Sequence, residues 1–341
     1  MRPDGKRARI SPRVRLTDIA ERCGVSTATV SRALSRRGYV EADLSRRIHA
    51  VAVELNYPLP SSQAGRRVLL AASGPAMVDF ARSQFTLHVL QGIRDRCAVL
   101  GMEVETRQTE GPAEVARLLD EGQGAADIAG LLLLTLDDPE ILDRAFAAEK
   151  PVVLVNGDDP MMRLSSAAPC NRSAAALATQ HLRALGHRRI LFLTCPGRRT
   201  IARRLDGWRD AMGADHDPAL VCEVADWRAD LATQTVARRL GRRDFTAILA
   251  SGDALAMGAY AALAGAGLRI PDDVSIMSID GLPQAELMDP PLSTIAIPMR
   301  AVGATALDLL CDTIADPHAP ARRVELACRL VRRGSDGKTP K

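Results

Sequence analysis

The chain has 341 residues, 47% of them hydrophobic and 25% charged, with a formal net charge of +4. That length and balance predict two or three domains with sizeable cores, and exclude both a single small module and a disordered chain. Aromatic residues make up only 3%, so the cores must be built from Ala, Leu, Val and Ile. No run of about 18 apolar residues occurs, which removes a membrane-spanning helix from consideration.

Charge is unevenly placed. Residues 1–60 carry twelve Lys/Arg against six Asp/Glu, whereas the rest of the chain carries 33 against 35. A basic head on a nearly neutral body predicts that the head meets a polyanion. The opening MRPDGKRARISPRVR is basic, with residues 1–14 read as an arm, and lacks the apolar core of a secretory signal. Seven scattered cysteines show neither C-x-x-C nor zinc spacing, so reduced thiols, a cytoplasmic location, no metal and no cofactor are expected.

In chain order, Leu16, Ile19 and Ala20 have helical spacing, with Thr17 and Asp18 in the first turn. Gly24 ends that helix, since glycine readily takes the left-handed conformation of a tight turn. Ser26 is a good N-cap for a second helix, whose apolar face is Val30, Ala33 and Leu34. Thr27, Ala28, Thr29, Ser31 and Arg32 are left mostly outside. A third helix runs from about Glu41 to Asn56, with Leu44, Ile48, Val51 and Leu55 on one face. Three short helices with a glycine turn between the first two describe a helix-turn-helix. In such a unit the second helix enters the major groove. Short Thr and Ser side chains there can meet base edges or thymine methyls, and an arginine can donate twice to guanine O6/N7.

The stretch LTDIAERCGVSTATVSRALSRRGYVEADLSRRIHAVAVELNY resembles the head of the LacI/GalR family of bacterial transcription regulators. Departures are small: Cys23 stands where alanine is usual, and Ser35 replaces a common asparagine. By that resemblance Thr27 and Ala28 occupy the two base-reading positions and Arg32 the arginine position. Ser26, Thr29 and Ser31 would anchor phosphates, Tyr39 would lie over the DNA backbone, and Thr17 is counted among the DNA contacts. The head, residues 1–57, is followed by a connector at 58–67, PLPSSQAGRR. The family's usual connector is longer and forms a short helix that wedges leucines into the minor groove. Here Pro58 and Pro60 oppose a regular helix, Gly65 weakens its end, and Leu59 is the sole leucine. No leucine wedge is therefore expected, with Arg66 and Arg67 as phosphate contacts.

The body, residues 68–336, alternates apolar strand-like runs (68–73, 128–135, 151–156, 189–194, 247–252 and 274–280) with helical segments such as NRSAAALATQHLRALG. Such alternation predicts parallel sheets covered on both faces, in two α/β lobes. Ligands of these sheets bind beyond the carboxyl ends of the strands, which directs attention to Ser73, Thr135, Asn156, Ser251, Asp253 and Asp280. Three stretches, NRSAAALATQHLRALGHRRILFLT, ILASGDALAMGAYAALAGAGLRIPDDVSIMSIDGLP and DPPLSTIAIPMRAVGATALDLL, resemble the effector-binding body of LacI/GalR regulators. That body is similar to periplasmic sugar-binding proteins. The resemblance implies an effector grip at Arg204, four residues before Trp208, and at Asp280, with Asn156 where aspartate is frequent. It also shows departures. Ser251-Gly252-Asp253 replaces the usual A-N-D, Gly281 replaces a second aspartate, and Cys170 stands where aspartate is common. These losses predict a changed or larger ligand. Asp253, which opens the apolar run DALAMGAYAAL, is read first as a helix N-cap and second as an effector contact. Cys170 is read as a small buried hydrophobe rather than a reactive thiol, and it is counted among the effector-binding residues.

Two other classes share features of this sequence. A periplasmic binding protein shares the body but would carry a signal peptide and no basic helix-turn-helix. An α/β enzyme is opposed by the absence of G-x-x-x-x-G-K-[ST], G-x-S-x-G and H-E-x-x-H. His88, His181 and His187 lack ligand spacing, so packing or solvent roles are expected. The sequence therefore predicts a cytoplasmic, sequence-specific DNA-binding repressor with no catalytic residues. Its affinity for double-stranded operator DNA would be set by a small sugar-like effector. A homodimer is expected, because one head reads only a half-site. Residues 337–341 are read as a tail, and without leucine heptads beyond Gly334 no tetramerising segment is expected.

Overall fold

The computed structural model describes residues 15–35, 39–55, 63–78 and 80–340. The chain divides into two compact units, Met1–Gly65 and Arg66–Lys341. The basic arm and residues 56–62, including Pro58, Leu59 and Pro60, lie outside the described residues.

The first unit holds α1 (Leu16–Cys23), α2 (Thr27–Ser35) and α3 (Ala42–Glu54). Gly24 has φ 66°, and its N–H caps the carbonyls of Ala20 and Glu21, so the chain turns within one residue. The Ser26 hydroxyl accepts from the Thr29 N–H at 3.1 Å, which makes it the cap of α2. Ile19, Ala20, Cys23, Val30, Ala33, Leu34, Ile48 and Ala52 close the core. Cys23 is 2% exposed, so the thiol packs as the alanine-sized apolar residue its place requires.

The second unit is two six-stranded sheets. The first is built from β1 (Arg67–Ser73), β2 (Glu103–Thr109), β3 (Ile128–Leu134), β4 (Val152–Val155), β5 (Ser165–Pro169) and β11 (Arg323–Leu326). The second is built from β6 (Ile190–Thr194), β7 (Val221–Glu223), β8 (Ala247–Ala250), β9 (Ser275–Asp280), β10 (Ser293–Ala296) and β12 (Arg329–Val331). Their orders match: β2-β1-β3-β4-β5-β11 and β7-β6-β8-β9-β10-β12. All pairings are parallel except β10 with β12. Central strands such as IAGLLLL are buried along their whole length, as expected where helices cover both faces.

Helices α4 (Gly74–Val78), α5 (Phe80–Leu100), α6 (Pro112–Gly124), α7 (Pro139–Phe146) and α12 (Met299–Ala315) belong to the first lobe. Helices α8 (Asn171–Ala184), α9 (Arg199–Met212), α10 (Ala229–Leu240) and α11 (Asp253–Gly265) belong to the second. The chain therefore passes between lobes three times, after β5, after β10 and after β11. Residues 337–339, expected as a free tail, are tied to the second lobe. The Gly337 N–H donates to Ser275 Oγ at 3.0 Å and the Thr339 N–H to the Leu185 carbonyl at 3.0 Å. His187, fully buried, bonds Thr246 Oγ1 and the Gly337 carbonyl, and burial lowers its pKa.

Candidate functional site

Two regions concentrate the residues singled out by sequence. The first is the outer face of α2. Thr27, Ala28, Ser31 and Arg32 are exposed, and Thr29 is half-buried. Arg32 Nε donates to the Ala28 carbonyl at 3.3 Å, which lays the exposed guanidinium along the helix. Ser26 and Thr29 hydroxyls bond each other at 2.9 Å. Tyr39 is 90% exposed, a cost to a lone aromatic that a contacting surface would offset. Thr17 is exposed at the start of α1, with its hydroxyl on Asp18. Arg66 and Arg67 fall elsewhere. Arg66 Nη2 donates to the Ile128 carbonyl at 2.8 Å, and Arg67 binds Asp127 at 2.7 Å and pairs with Glu105. Both are thus tied to the sheet of the second unit. The two carboxylates offset the charge of Arg67, which argues against the phosphate role expected for it.

The second region is the cleft between the lobes, where the carboxyl ends of both sheets meet. A cavity of about 150 Å3 lies there, and Ser73, Thr135, Asn156, Arg204 and Asp280 all line it. Each stands at a strand exit or, for Arg204, on α9. Thr135, Asn156 and Asp280 have φ of 58°, 50° and 135°, a left-handed region that costs a side-chain-bearing residue about 1–3 kcal/mol and clusters at ligand sites. Arg204 is 4% exposed. Its Nε donates to Asn171 Oδ1 at 2.7 Å, and its Nη1 donates to the Ser251 carbonyl and to Asp280 Oδ1 at 3.1 Å. Burial pushes the Asp280 carboxyl up, and the Arg204 charge opposes that push. Thr86 Oγ1 and Asn156 Oδ1 of this lining are buried without hydrogen-bond partners among the described residues, as is Ser251 Oγ, whose own carbonyl Arg204 holds. Buried polar atoms are nearly always paired, so a cluster of orphans at the facing ends of two sheets is a site shaped for a ligand rich in hydrogen bonds.

Sequence reasoning missed part of the lining. Phe85, Arg198, Ile201, Trp227 and Leu282 also face the cavity. Trp227 explains the absent asparagine of the A-N-D pattern. A Cβ at Gly252 would sit 2.7 Å from Trp227 Cζ3 and 3.1 Å from Asp280 Oδ2, so the indole occupies the space of a side chain. Gly281 is similar, because a Cβ there would lie 2.7 Å from the Ala296 Cα. Asp253 is corrected: Gly252 is the N-cap of α11, and Asp253 follows it as the first helical residue. Its carboxylate accepts from Ser278 Oγ, the Leu282 N–H at 2.7 Å and Thr294 Oγ1 at 3.2 Å. These bonds fasten α11 to β9 and β10. Burial first, and the Asp280 charge second, push Asp253 up to about 7. Cys170 does not line the cavity; it precedes α8 with its Sγ 3.0 Å from Ser173 Oγ. All seven cysteines are free. Among the described residues no cluster of His, Cys, Asp or Glu has the arrangement of a metal site, and no helix is long and apolar enough to cross a membrane.

Residues 15–59 match the model of bacterial regulatory proteins of the lacI family, and residues 179–335 match that of the periplasmic binding protein-like domain. The chain is 31% identical to the HTH-type transcriptional regulator reg1 of Streptomyces lividans, over 96% of this chain and 97% of that protein. The chain belongs to the LacI family. It is a DNA-binding transcriptional regulator with a helix-turn-helix head and a two-lobed α/β body. Among solved structures, a complex of the transcriptional regulator CelR with cellobiose matches with TM-score 0.71 and 27% identity, covering 95% of this chain and all of that one. The lac repressor dimer bound to operator and the anti-inducer ONPF matches with TM-score 0.70 and 27% identity, covering 95% and 99%.

Proposed function

We propose that this LacI-family regulator acts as a cytoplasmic homodimeric repressor without catalytic activity. Its affinity for a two-fold symmetric operator is set by a neutral sugar held between the lobes. The observation that carries the effector reading is the set of orphaned polar atoms in and beside the lining that holds the Arg204–Asp280 pair. A sugar ring offers hydroxyls that both donate and accept, which suits a mixed set of carboxylate, amide and hydroxyl oxygens. Trp227 and Phe85 add apolar faces for its C–H surface. On the DNA side, Arg32 donates to a guanine, Thr27 and Ala28 choose the neighbouring bases, and Ser26, Thr29, Ser31 and Tyr39 hold the backbone. The likeness to a lac repressor dimer on operator and to a regulator holding cellobiose supports both halves of this reading.

The test uses the purified full-length protein. An operator is first selected from a random duplex library, and selected sites should be inverted repeats. Thermal shift against neutral sugars, sugar phosphates and nucleosides then seeks the effector, with gel shift on the selected site as the second readout. Stabilisation by nucleosides alone would overturn the sugar assignment while leaving the DNA reading intact.

A further inference from the structure

Thr135 and Arg198 border two cavities at once. On one side is the central chamber of about 150 Å3, below the roughly 300–1,000 Å3 usual for small-molecule sites. On the other is a chamber of about 590 Å3, walled by residues 135–143 and 160–163 of the first lobe and 197–199 of the second. A ligand that fills only the central chamber would leave the larger space beside it unused.

Asp137 lies in the wall of the larger chamber and is 9% exposed. Its Oδ2 has no hydrogen-bond partner among the described residues, and its Oδ1 has Arg198 Nε at 3.5 Å, the long limit of such a bond. A buried carboxylate oxygen left this way costs free energy until a donor reaches it. The charges of the chamber define that donor. Arg163 is already paired with Asp143 and Asp159, Arg199 with Asp158, and Arg198 with Asp137. An added cation would face three guanidiniums, and an added anion would face Asp137, Asp138 and Asp143. Leu136, Ile141 and Met161 supply an apolar wall. A neutral group with several O–H donors and one C–H face fits these walls, which is the chemistry of a sugar ring.

We propose that the effector is a neutral glycoside of at least two rings, its second ring seated in this outer chamber and donating hydroxyls to Asp137. The first ring occupies the central chamber beside Arg204 and Asp280, so the inference rests on the sugar reading above. Asp137 is then a specificity-determining residue for ligand length. The second ring touches both lobes, Asp137 from one and the 197–199 loop from the other, and so couples ligand length to the closure of the cleft.

The test is calorimetry of the full-length protein against a panel of neutral mono-, di- and trisaccharides. A disaccharide should bind about ten- to a hundredfold more tightly than either of its constituent monosaccharides, the scale of hydrogen bonds to a charged acceptor. Asp137→Ala should erase most of that advantage while leaving monosaccharide affinity in place. The isosteric Asp137→Asn, which keeps the shape but changes the acceptor, should fall between. Monosaccharide binding by both variants serves as the control for folding. A preference for the longer ligand that survives both substitutions, or tightest binding by a monosaccharide, would overturn the assignment of the outer chamber alone. No binding by any sugar of the panel would overturn the sugar reading and this inference with it.

Discussion

The head and the cleft of the body solve opposite problems with opposite means. In the head, all the candidate contacts but Thr17 and Tyr39 lie between Ser26 and Arg32, the cap and first turns of one helix, and their geometry follows from helical periodicity once Gly24 and Ser26 fix where the helix starts. In the cleft, the lining comes from strand exits and loops spread from Ser73 to Leu282, and no local rule places them together. The head therefore keeps most of its candidate contacts exposed, with their hydrogen bonds made locally along the helix. The cleft buries polar oxygens that lack partners among the described residues, at a cost a ligand would offset. Substitutions should accordingly alter affinity with little loss of stability in the first region, and both together in the second.

The largest effect expected is that of Arg204→Ala. Removing the guanidinium takes the ion-pair partner from half-buried Asp280 and leaves the buried Ser251 carbonyl without its donor, which should cost the body about 3–5 kcal/mol in urea unfolding. The double variant Arg204→Ala/Asp280→Asn should recover part of this, and an additive loss would show that the pair is not coupled. Arg32→Ala should leave stability unchanged and cost about 1–3 kcal/mol of operator binding, concentrated at one symmetric base position. Equal loss on every sequence in a gel-shift panel would make Arg32 a phosphate contact instead. Gly252→Asn returns the family's amide but drives a Cβ into Trp227. The body should lose about 1–3 kcal/mol, as overpacked sites do, with indole fluorescence shifting as the ring is displaced. Exchanging Thr27 and Ala28 should change the operator recovered from a random library while non-specific binding, dominated by phosphates, stays nearly constant.

A separate effect concerns pH. Asp253 is pushed up to about 7 in the fold, against an unfolded value near 3.9. The folded state then holds its proton more tightly than the unfolded chain does. This group's contribution to stability is complete below about pH 4 and is lost as pH rises towards 7. The Tm of the body should therefore fall over that window. Asp253→Asn should flatten the slope, and an unchanged slope would show that Asp253 is ionised throughout.

How much of this could be read in the sequence follows the same division. The three helices of the head were expected within about two residues of where they lie, because each is short and amphipathic and Gly24 and Ser26 mark the boundary between the first two. Six strands of the body were expected from continuous apolar runs and occur. Of the six unread strands, Glu103–Thr109 is a polar edge strand, Ser165–Pro169 is made of small residues, and Val221–Glu223 and Arg329–Val331 are three residues long. Ser73, Thr135, Asn156 and Asp280 were legible as strand exits. Trp227 was not, since it sits in the loop before α10, where periodicity is silent, and only its rarity among two tryptophans marked it. The role of Asp253 needed three-dimensional information, because a carboxylate at the start of a helix reads as a cap until Ser278 and Thr294 are seen to claim it.

The three passages of the chain between lobes have a consequence for building new regulators. The head is one uninterrupted stretch, so a single splice near residue 65 can exchange it for another and transfer operator choice. Neither lobe is a contiguous stretch: the first needs residues 66–169 together with 299–326, and the second needs 171–296 together with the segment after 328. Deleting from the carboxyl end of the body removes β12 of the second sheet and then β11 of the first. Ligand specificity must therefore be redesigned residue by residue within the cleft, or imported as a whole body, because no half of it can be cut out and kept.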